Sequence, residues 1–283
     1  MPTAEKIPRL VSPMSTLTRA GRSKDFAIFT NKLDYVNQRN HEEPSHITRN
    51  MEDVESLKRN AGIAACKFVK NNMKVGLGTG STVKHTVIEL GRMIKDDGLE
   101  IVGVPTSLAT EKLALEVGIP LVELSEVDYL DIVIDGADEF DPSFQLIKGG
   151  GAALLREKIV AQESRAMVVV ADERKRVSKL GAFPLPIEIT PFAYESTIRK
   201  LTKLLDCRVN CRMSGDNPVV TDNGNLIADA HCGPTIEDPN KVESEVLMIA
   251  GVVQVGLFND MCDVVILAGN NGVEEIINPN GRL

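Results

Sequence analysis

The chain has 283 residues and 43% of them are hydrophobic, so it can form one large domain or two of modest size. It has no tryptophan, only 4% aromatic residues and a formal charge of −8, all of which argue against a nucleic-acid partner. No apolar run approaches the roughly 20 residues that a membrane span requires, so we expect no membrane association.

Residues 1–50 contain Pro, Ser and Thr among scattered charges, and they have no apolar core of a secretory signal. We interpret them as an N-terminal extension without stable structure. A weak mitochondrial transit character and docking of Phe26–Phe29 on the folded body are the alternatives. Without a secretory signal, we expect a cytoplasmic protein.

From Met51 onwards, predicted strands alternate with predicted helices. The predicted helices are residues 53–70, 82–94, 109–117 and one that begins at Ala152. The predicted strands are residues 74–77, 101–104, 120–124, 131–135 and 167–171. This alternation is typical of an α/β fold with a doubly wound, mostly parallel sheet. We expect a Rossmann-like catalytic domain of residues 51–183 plus 259–283, because strand 263–268 should return to the same sheet.

The pattern changes after Pro184. We predict strands at 187–189, 208–213 and 252–258, helices at 193–205 and 239–249, and a hairpin. The hairpin joins 219–221 to 226–228 through a turn that contains an Asn-Gly dipeptide. The order β-α-β-β-α-β predicts a ferredoxin-like α+β small domain, residues 184–258, inserted into the larger one.

A glycine-rich segment, Gly76–Thr82, lies between a predicted strand and a predicted helix. Its glycines allow close approach of the backbone, and a helix N-terminus offers N–H donors to an anion. It lacks the spacing of a P-loop and is a poor dinucleotide fingerprint. We therefore expect a small phosphate here; a tight turn with Ser81 or Thr82 as the helix N-cap is the alternative.

A second glycine segment begins at Lys148 and follows a strand that ends in Asp135. Asp135 and Asp138 should lie at the carboxyl edge of the sheet, where open α/β sheets bind ligands. Lys148 could pair with these carboxylates or neutralise negative charge that develops on a substrate oxygen. We interpret Glu139 as part of a solvated turn.

The next helix carries Arg156, Glu157 and Lys158, which together span roughly 200° of the helical wheel. Their neighbours one turn away are apolar, so at least one of the three charges must face protein. Periodicity does not decide between Arg156 and Glu157. A carboxylate that faces inward beside the glycine segment after Lys148 indicates an active site. Lys175, in a run of charges, is either a surface residue or a phosphate ligand.

The five cysteines are odd in number and form no CxxC pair, which favours unpaired thiols in a reducing compartment. Cys207 and Cys211 with His231 and Cys232 could be imagined as a zinc set, but the spacing is loose. We interpret them as structural thiols and expect no metal. His85 and His231 are interpreted as ordinary packed histidines.

Taken together and in register, five motifs resemble type A ribose-5-phosphate isomerase, a resemblance that runs from about Leu57 to Ile277. The motifs are Gly78–Thr82, Asp135–Glu139, Lys148–Lys158, Leu180–Glu188 and Gly251–Phe258.

The resemblance implies interconversion of ribose 5-phosphate and ribulose 5-phosphate in the pentose phosphate pathway, without metal or cofactor. It implies that Glu157 is the proton acceptor, with Asp135, Asp138 and Lys148 as further catalytic residues. The implied phosphate ligands are Thr79, Gly80, Ser81, Thr82, Lys175 and Lys58. The implied contacts with the sugar hydroxyls and carbonyl are Asp135, Gly136, Ala137, Asp138, Lys148, Gly149, Gly150 and Gly151. It also implies a homodimer or homotetramer.

Two other functions are compatible with a similar fold. One is a related enzyme, either an amino-sugar-phosphate deaminase or a CoA transferase with a glutamate nucleophile. The other is a sugar-phosphate sensor without catalytic activity. A CoA transferase would need a larger nucleotide site, and a sensor would need a DNA-binding module, and the sequence shows neither.

Overall fold

The computed structural model describes residues 46–283, with side chains from residue 54 onwards. Most of the predicted extension lies outside these residues. Its last five residues belong to a helix that begins at His46, before the predicted start at Asp53. The helix therefore crosses the expected boundary at residue 50.

Six helices and fifteen strands make up the described part of the chain. The helices are α1 (His46–Ala65), α2 (Val83–Asp97), α3 (Leu108–Glu116), α4 (Leu154–Gln162), α5 (Tyr194–Leu205) and α6 (Pro239–Leu247). The strands are β1 (Met73–Leu77), β2 (Ile101–Pro105), β3 (Ile132–Gly136), β4 (Glu139–Phe140), β5 (Leu146–Ile147), β6 (Met167–Asp172), β7 (Leu185–Ile189), β8 (Arg208–Cys211), β9 (Met213–Ser214), β10 (Asn217–Pro218), β11 (Leu226–His231), β12 (Val252–Val255), β13 (Leu257–Phe258), β14 (Val264–Gly269) and β15 (Gly272–Ile277).

The larger sheet has the order β15-β14-β6-β3-β1-β2 and is parallel except for β15 at its edge. Every residue of β6 is buried, as expected for a central strand covered on both faces. Separate apolar clusters cover the two faces, one with α1 and α2 and the other with α4. The predicted doubly wound sheet is confirmed, including the return of β14 beside β6.

The smaller sheet has the order β12-β7-β11-β8 and is antiparallel throughout. Helices α5 and α6 pack on it around a third apolar cluster. This is the predicted ferredoxin-like arrangement, and it is confirmed. The placement of domain boundaries at residues 184 and 258 stays a prediction.

Three predicted strands are wrong in detail. Residues 120–124 make only one bridge, from Leu121 to Gly103, and then enter a 3₁₀ turn at Leu124–Glu126. Residues 219–221 likewise make only a bridge, Val220 to Leu226, and the strands that pair with β11 are β8 and β7. Residues 252–258 form two strands in different sheets.

Gly256 explains that last difference. Its N–H donates to Pro186 O at 2.8 Å, and its carbonyl accepts from Lys148 N at 2.8 Å. A side chain at this position would collide with the carbonyl oxygens of both partners. The chain therefore leaves the smaller sheet here and continues as β13, which pairs with β5 directly before Lys148.

Within residues 46–283, no helix is both long enough and apolar enough to cross a membrane.

Candidate active site

A cavity of about 90 Å³ opens at the carboxyl ends of β1 and β3, the point where the strand order of the larger sheet reverses. Ligands of open α/β sheets bind at such a switch point. Nearly all of the site residues predicted from the sequence line this cavity: Thr79, Gly80, Ser81, Thr82, Gly136, Ala137, Asp138, Lys148, Gly149, Gly150, Gly151, Glu157 and Lys175. Asp135 lies against Lys148, and Lys58 is not among the lining residues.

Lys148 is at the centre of the charged groups. Its Nζ lies 3.1 Å from Asp135 Oδ2 and 3.3 Å from Glu157 Oε2, and it donates a hydrogen bond to Gly136 O at 2.6 Å. All three side chains are at least 96% buried. Apart from these two ion pairs with Lys148, neither Asp135 Oδ2 nor Glu157 Oε2 accepts a hydrogen bond from the residues that the structure describes.

The two carboxyl groups compete for one cation. Burial and the nearby charge of Asp135 raise the pKa of Glu157 to about 8, although Lys148 opposes the shift. Burial also raises the pKa of Asp135, against the effect of Lys148. Burial alone would lower the pKa of Lys148, but the two carboxylates outweigh it and the pKa is raised. The lysine therefore stays charged, and Glu157 titrates near neutral pH.

Asp135 also connects the two loops of the cavity. Its Oδ1 accepts hydrogen bonds from Thr79 N at 3.0 Å and Gly136 N at 2.7 Å. A side chain at Gly78 would overlap the Asp135 carboxyl group, so glycine is required for this close approach.

The glycine cradle, residues 149–151, is held by a second carboxylate. Asp138 Oδ2 accepts a hydrogen bond from Gly150 N at 2.7 Å. Gly149 has a φ of +110°, a conformation that residues with a side chain rarely adopt. The cradle leads directly into α4, which places Glu157 in its first turn.

The loop Thr79–Thr82 leads into α2. Thr82 is the N-cap residue, as the alternative interpretation expects, but its side chain makes no capping hydrogen bond. The Thr79 hydroxyl is bonded to Thr106 at 2.7 Å and Ser107 at 2.8 Å. These two residues, which sequence reasoning missed, fix the loop from the end of β2.

The predicted cations differ in their positions. Lys175 lines the cavity from a 3₁₀ turn after β6, whereas Lys58 lies on α1 and pairs with Glu55 at 3.8 Å. Arg156 points away from the cavity and bonds to Asn223 Oδ1 at 2.9 Å. Glu157 is therefore the inward group on α4, together with Lys158.

One interpretation is wrong. Glu139 is not in a solvated turn: it is buried and accepts hydrogen bonds from Gly181 N at 2.7 Å and Phe183 N at 2.5 Å. Those two amides are more than 40 residues away along the chain, and the local sequence gives no sign of them.

Arg212 is a further contact that the sequence did not indicate. It lies beyond β8 in the smaller sheet, and its Nη1 donates to the carbonyl oxygens of Gly149 at 2.8 Å and Gly150 at 2.9 Å. Asp229 holds the guanidinium through both of its carboxylate oxygens, with Arg212 Nε donating to Asp229 Oδ2 at 2.8 Å. The smaller sheet thus contacts the glycine cradle through Arg212, on the carbonyl oxygens of Gly149 and Gly150.

Among the side chains that the structure describes, no three His, Cys, Asp or Glu residues form a cluster that could hold a metal ion.

A family sequence model described as Ribose 5-phosphate isomerase A (phosphoriboisomerase A) matches residues 102–272, more than half of the chain. The chain belongs to this isomerase family. Ribose-5-phosphate isomerase A of Bacillus mycoides is 49% identical over 220 residues, which are 78% of this chain and 99% of that protein.

Solved structures of the family agree with this assignment. Ribose 5-phosphate isomerase from Plasmodium falciparum has a TM-score of 0.77 at 37% identity, covering 80% of this chain and 99% of its own. A D-ribose-5-phosphate isomerase in complex with phospho-erythronic acid has a TM-score of 0.76 at 42% identity, covering 79% and 99%. The resemblance of the five motifs to type A isomerases is confirmed.

Proposed function

We propose that the chain interconverts ribose 5-phosphate and ribulose 5-phosphate, with Glu157 as the group that moves the proton. As a member of its family it is an aldose–ketose isomerase. The reaction transfers a proton between two adjacent carbons of the sugar through an enediolate. It needs a base at the carbons and hydrogen-bond donors at the oxygens.

The observation that carries the proposal is the burial of Glu157 in the cavity and the raised pKa that results from it. Its carboxylate is buried and lines the cavity, and Oε2 has only the Lys148 ion pair among the described residues. A pKa of about 8 gives a base strong enough to abstract a proton α to a carbonyl, with a useful ionised fraction at neutral pH. The same group can return the proton to the neighbouring carbon.

Lys148 and the glycine cradle are the proposed donors to the enediolate. The raised pKa of Lys148 keeps its ammonium charged at the place where negative charge would develop on oxygen. The glycine cradle lines the same cavity, and its proposed donors are the N–H groups of Gly149 and Gly151, because Gly150 N already donates to Asp138. Loss of one such preorganised donor typically costs about 10²–10³ in rate. Asp138 is the carboxylate that we assign to a sugar hydroxyl.

The loop Thr79–Thr82 is the proposed phosphate site. It combines a helix N-terminus with the hydroxyls of Ser81 and Thr82, and Lys175 adds a cation across the cavity. An anion is favoured at a helix N-terminus by free N–H groups and by the helix dipole. We leave Lys58 out of this assignment because it does not line the cavity.

The test is Glu157→Gln, which keeps the size and shape of the side chain and removes the base. We expect kcat to fall about 10²–10⁴-fold while substrate affinity, measured by calorimetry, changes little. Glu163→Gln is the matched control, because Glu163 is exposed at the end of the same helix and should keep wild-type turnover. If Glu157→Gln kept more than about a tenth of kcat, the assignment of the base would be wrong.

The remaining expectations are proposals as well: a metal-independent reaction, a cytoplasmic location and a homodimer or homotetramer. A coupled assay of ribulose 5-phosphate formation tests the first. Activity should be the same with and without a chelator, and strict dependence on added metal would refute it. Light scattering of the purified chain tests the oligomeric state.

A further inference from the structure

Two cysteines of the smaller sheet face each other at one end of β8 and β11. The Sγ atoms of Cys207 and Cys232 are 3.3 Å apart, and both side chains are half-buried. In the register of the two strands, Arg208 lies opposite His231. The next pair outward is therefore Cys207 opposite Cys232.

The hydrogen-bond pattern defines the geometry of this pair. Arg212 N donates to Ile227 O at 2.7 Å, which makes residues 212 and 227 a hydrogen-bonded pair. Pairs alternate along an antiparallel ladder, so 208 and 231 are hydrogen-bonded, and 207 and 232 are not. Cα atoms of a non-hydrogen-bonded pair are about 4.5 Å apart with their side chains close together. This separation is within the range of about 4.4–6.8 Å found in disulfides.

We propose that Cys207 and Cys232 form a reversible intramolecular disulfide when the protein meets a low-molecular-weight disulfide such as oxidised glutathione. Cys207, as thiolate, attacks one sulfur of the small disulfide, forms a mixed disulfide and releases one thiolate. Cys232, as thiolate, then attacks the Cys207 sulfur and releases the second. The two protein thiols give up two protons and two electrons, and the small disulfide is reduced to two thiols.

The environment supports this order of attack. Burial raises the pKa of Cys232 to about 12, which disfavours it as the thiolate that begins the exchange. Its place opposite Cys207 suits it to the second, intramolecular step. The strands do not need to shift, because the register already sets the two residues opposite each other.

The link would close a segment that supports the proposed active site. Residues 207–232 include Arg212, which bonds to the glycine cradle, and its partner Asp229. They also include the turn at Asp222 and Asn223, which bonds to Leu108 N and to Arg156. A disulfide restricts the unfolded chain, so we expect the melting temperature of the oxidised protein to rise by roughly 5 °C.

The experiment uses the full chain, incubated with oxidised glutathione or with dithiothreitol, then alkylated and mapped by mass spectrometry. After oxidation we expect a peptide containing Cys207 joined to one containing Cys232, at a mass two hydrogens below their sum. Cys211 is an internal control. It is half-buried at the other end of β8 and lies opposite Ala228, so in both samples it should be alkylated or carry glutathione and should not be joined to another peptide of the protein.

Variants separate the disulfide from other effects of oxidation. Cys207→Ser and Cys232→Ser should each lose both the linked peptide and the rise in melting temperature, and Cys211→Ser should keep both. Melting of the reduced variants shows that they fold. The proposal is overturned by a stable glutathione adduct on Cys207 with Cys232 unlinked, by unchanged alkylation of both cysteines, or by an undiminished temperature rise in Cys207→Ser.

Discussion

Lys148 and Lys158 are two buried lysines that lie near the same aromatic ring but differ in their electrostatic surroundings. Each side chain is 2% exposed, and their Nζ atoms lie 5.3 and 5.0 Å from the centre of the Phe258 ring. Lys148 has two buried carboxylates within 3.3 Å, and its pKa is raised. Lys158 has one partly exposed carboxylate, Glu243 at 2.7 Å, and burial lowers its pKa.

The difference separates a structural lysine from a candidate catalytic one. Lys158 also bonds to Gln254 at 3.0 Å, so it joins α4 to α6 and β12 and takes no part in the cavity. Lys148 lines the cavity and stabilises Glu157 and Asp135 in their ionised forms. Burial and an aromatic contact are common to both. The charge balance and the access to the cavity are what distinguish them.

The largest expected effect is the contrast between Lys148→Met and Lys158→Met. We expect Lys148→Met to lose about 10²–10³-fold in kcat, because it removes a charged donor to the enediolate. Lys158→Met should keep kcat within about threefold, because Lys158 does not line the cavity and its partner Glu243 is partly exposed and still accepts from Asn259 Nδ2. It should lower the free energy of unfolding, because only one partner of the ion pair is removed. Steady-state kinetics of both variants, with circular dichroism to verify folding, checks the contrast.

Equal losses in the two variants would break the comparison. Such a result would mean that both lysines act through the packing around Phe258 and not through the chemistry of the cavity.

The pH dependence of the reaction is the second test. Glu157 must be ionised to accept a proton, so kcat/KM should fall about tenfold per pH unit below its pKa. That pKa is raised from 4.5 to about 8, so the acid limb should lie well above pH 5. Lys158→Met should keep the midpoint. Lys148→Met should move it to higher pH, because the lysine favours ionised Glu157. An acid limb near pH 4.5 in the wild type would contradict the burial argument.

Much of this site follows from the sequence because its parts are local. Asp135, Lys148 and Glu157 belong to short segments at predictable ends of a strand and a helix. The sequence could not separate Lys148 from Lys158, since both carry the same charge in one motif. What distinguishes them is contact with Glu243 and Gln254, about 90 residues away. Such contacts appear only when the two sheets are assembled.

The same limit explains the errors in the fold. Short apolar runs predict β1, β3, β6 and β14, but they also predict a single strand over residues 252–258. The break at Gly256 depends on the backbone of Lys148 and Pro186, which periodicity does not report. Glu139 was misread for an equivalent reason, because its donors come from Gly181 and Phe183.

Arg212 provides a third test, with a smaller effect. Its guanidinium donates hydrogen bonds to the carbonyl oxygens of Gly149 and Gly150, in the glycine cradle directly after Lys148. We expect Arg212→Met to lower kcat/KM about tenfold, because a small misplacement of catalytic groups costs rate without removing any of them.

Arg208→Met is the matched control on the same segment, since Arg208 is exposed and contacts only His231 among the hydrogen bonds described. If both variants kept full activity, the smaller sheet would have no part in positioning the cradle.

The smallest effect concerns stability. The folded-state pKa of Glu157, about 8, is above its ordinary value of 4.5, so the folded protein holds this proton more tightly than the unfolded chain. The stabilisation is fully present below pH 4.5 and is lost as pH rises towards 8. Glu157→Gln cannot ionise and lacks this loss. The difference in free energy of unfolding between Glu157→Gln and the wild type should therefore increase in favour of the variant, by about 1 kcal/mol per pH unit between pH 6 and 8.

Urea unfolding at pH 6, 7 and 8 measures how this difference changes with pH, and Glu163→Gln should follow the wild type. If the difference in free energy of unfolding between Glu157→Gln and the wild type stayed constant across this range, Glu157 would already be ionised at pH 6. The distinction between the two lysine environments would then lose its electrostatic basis.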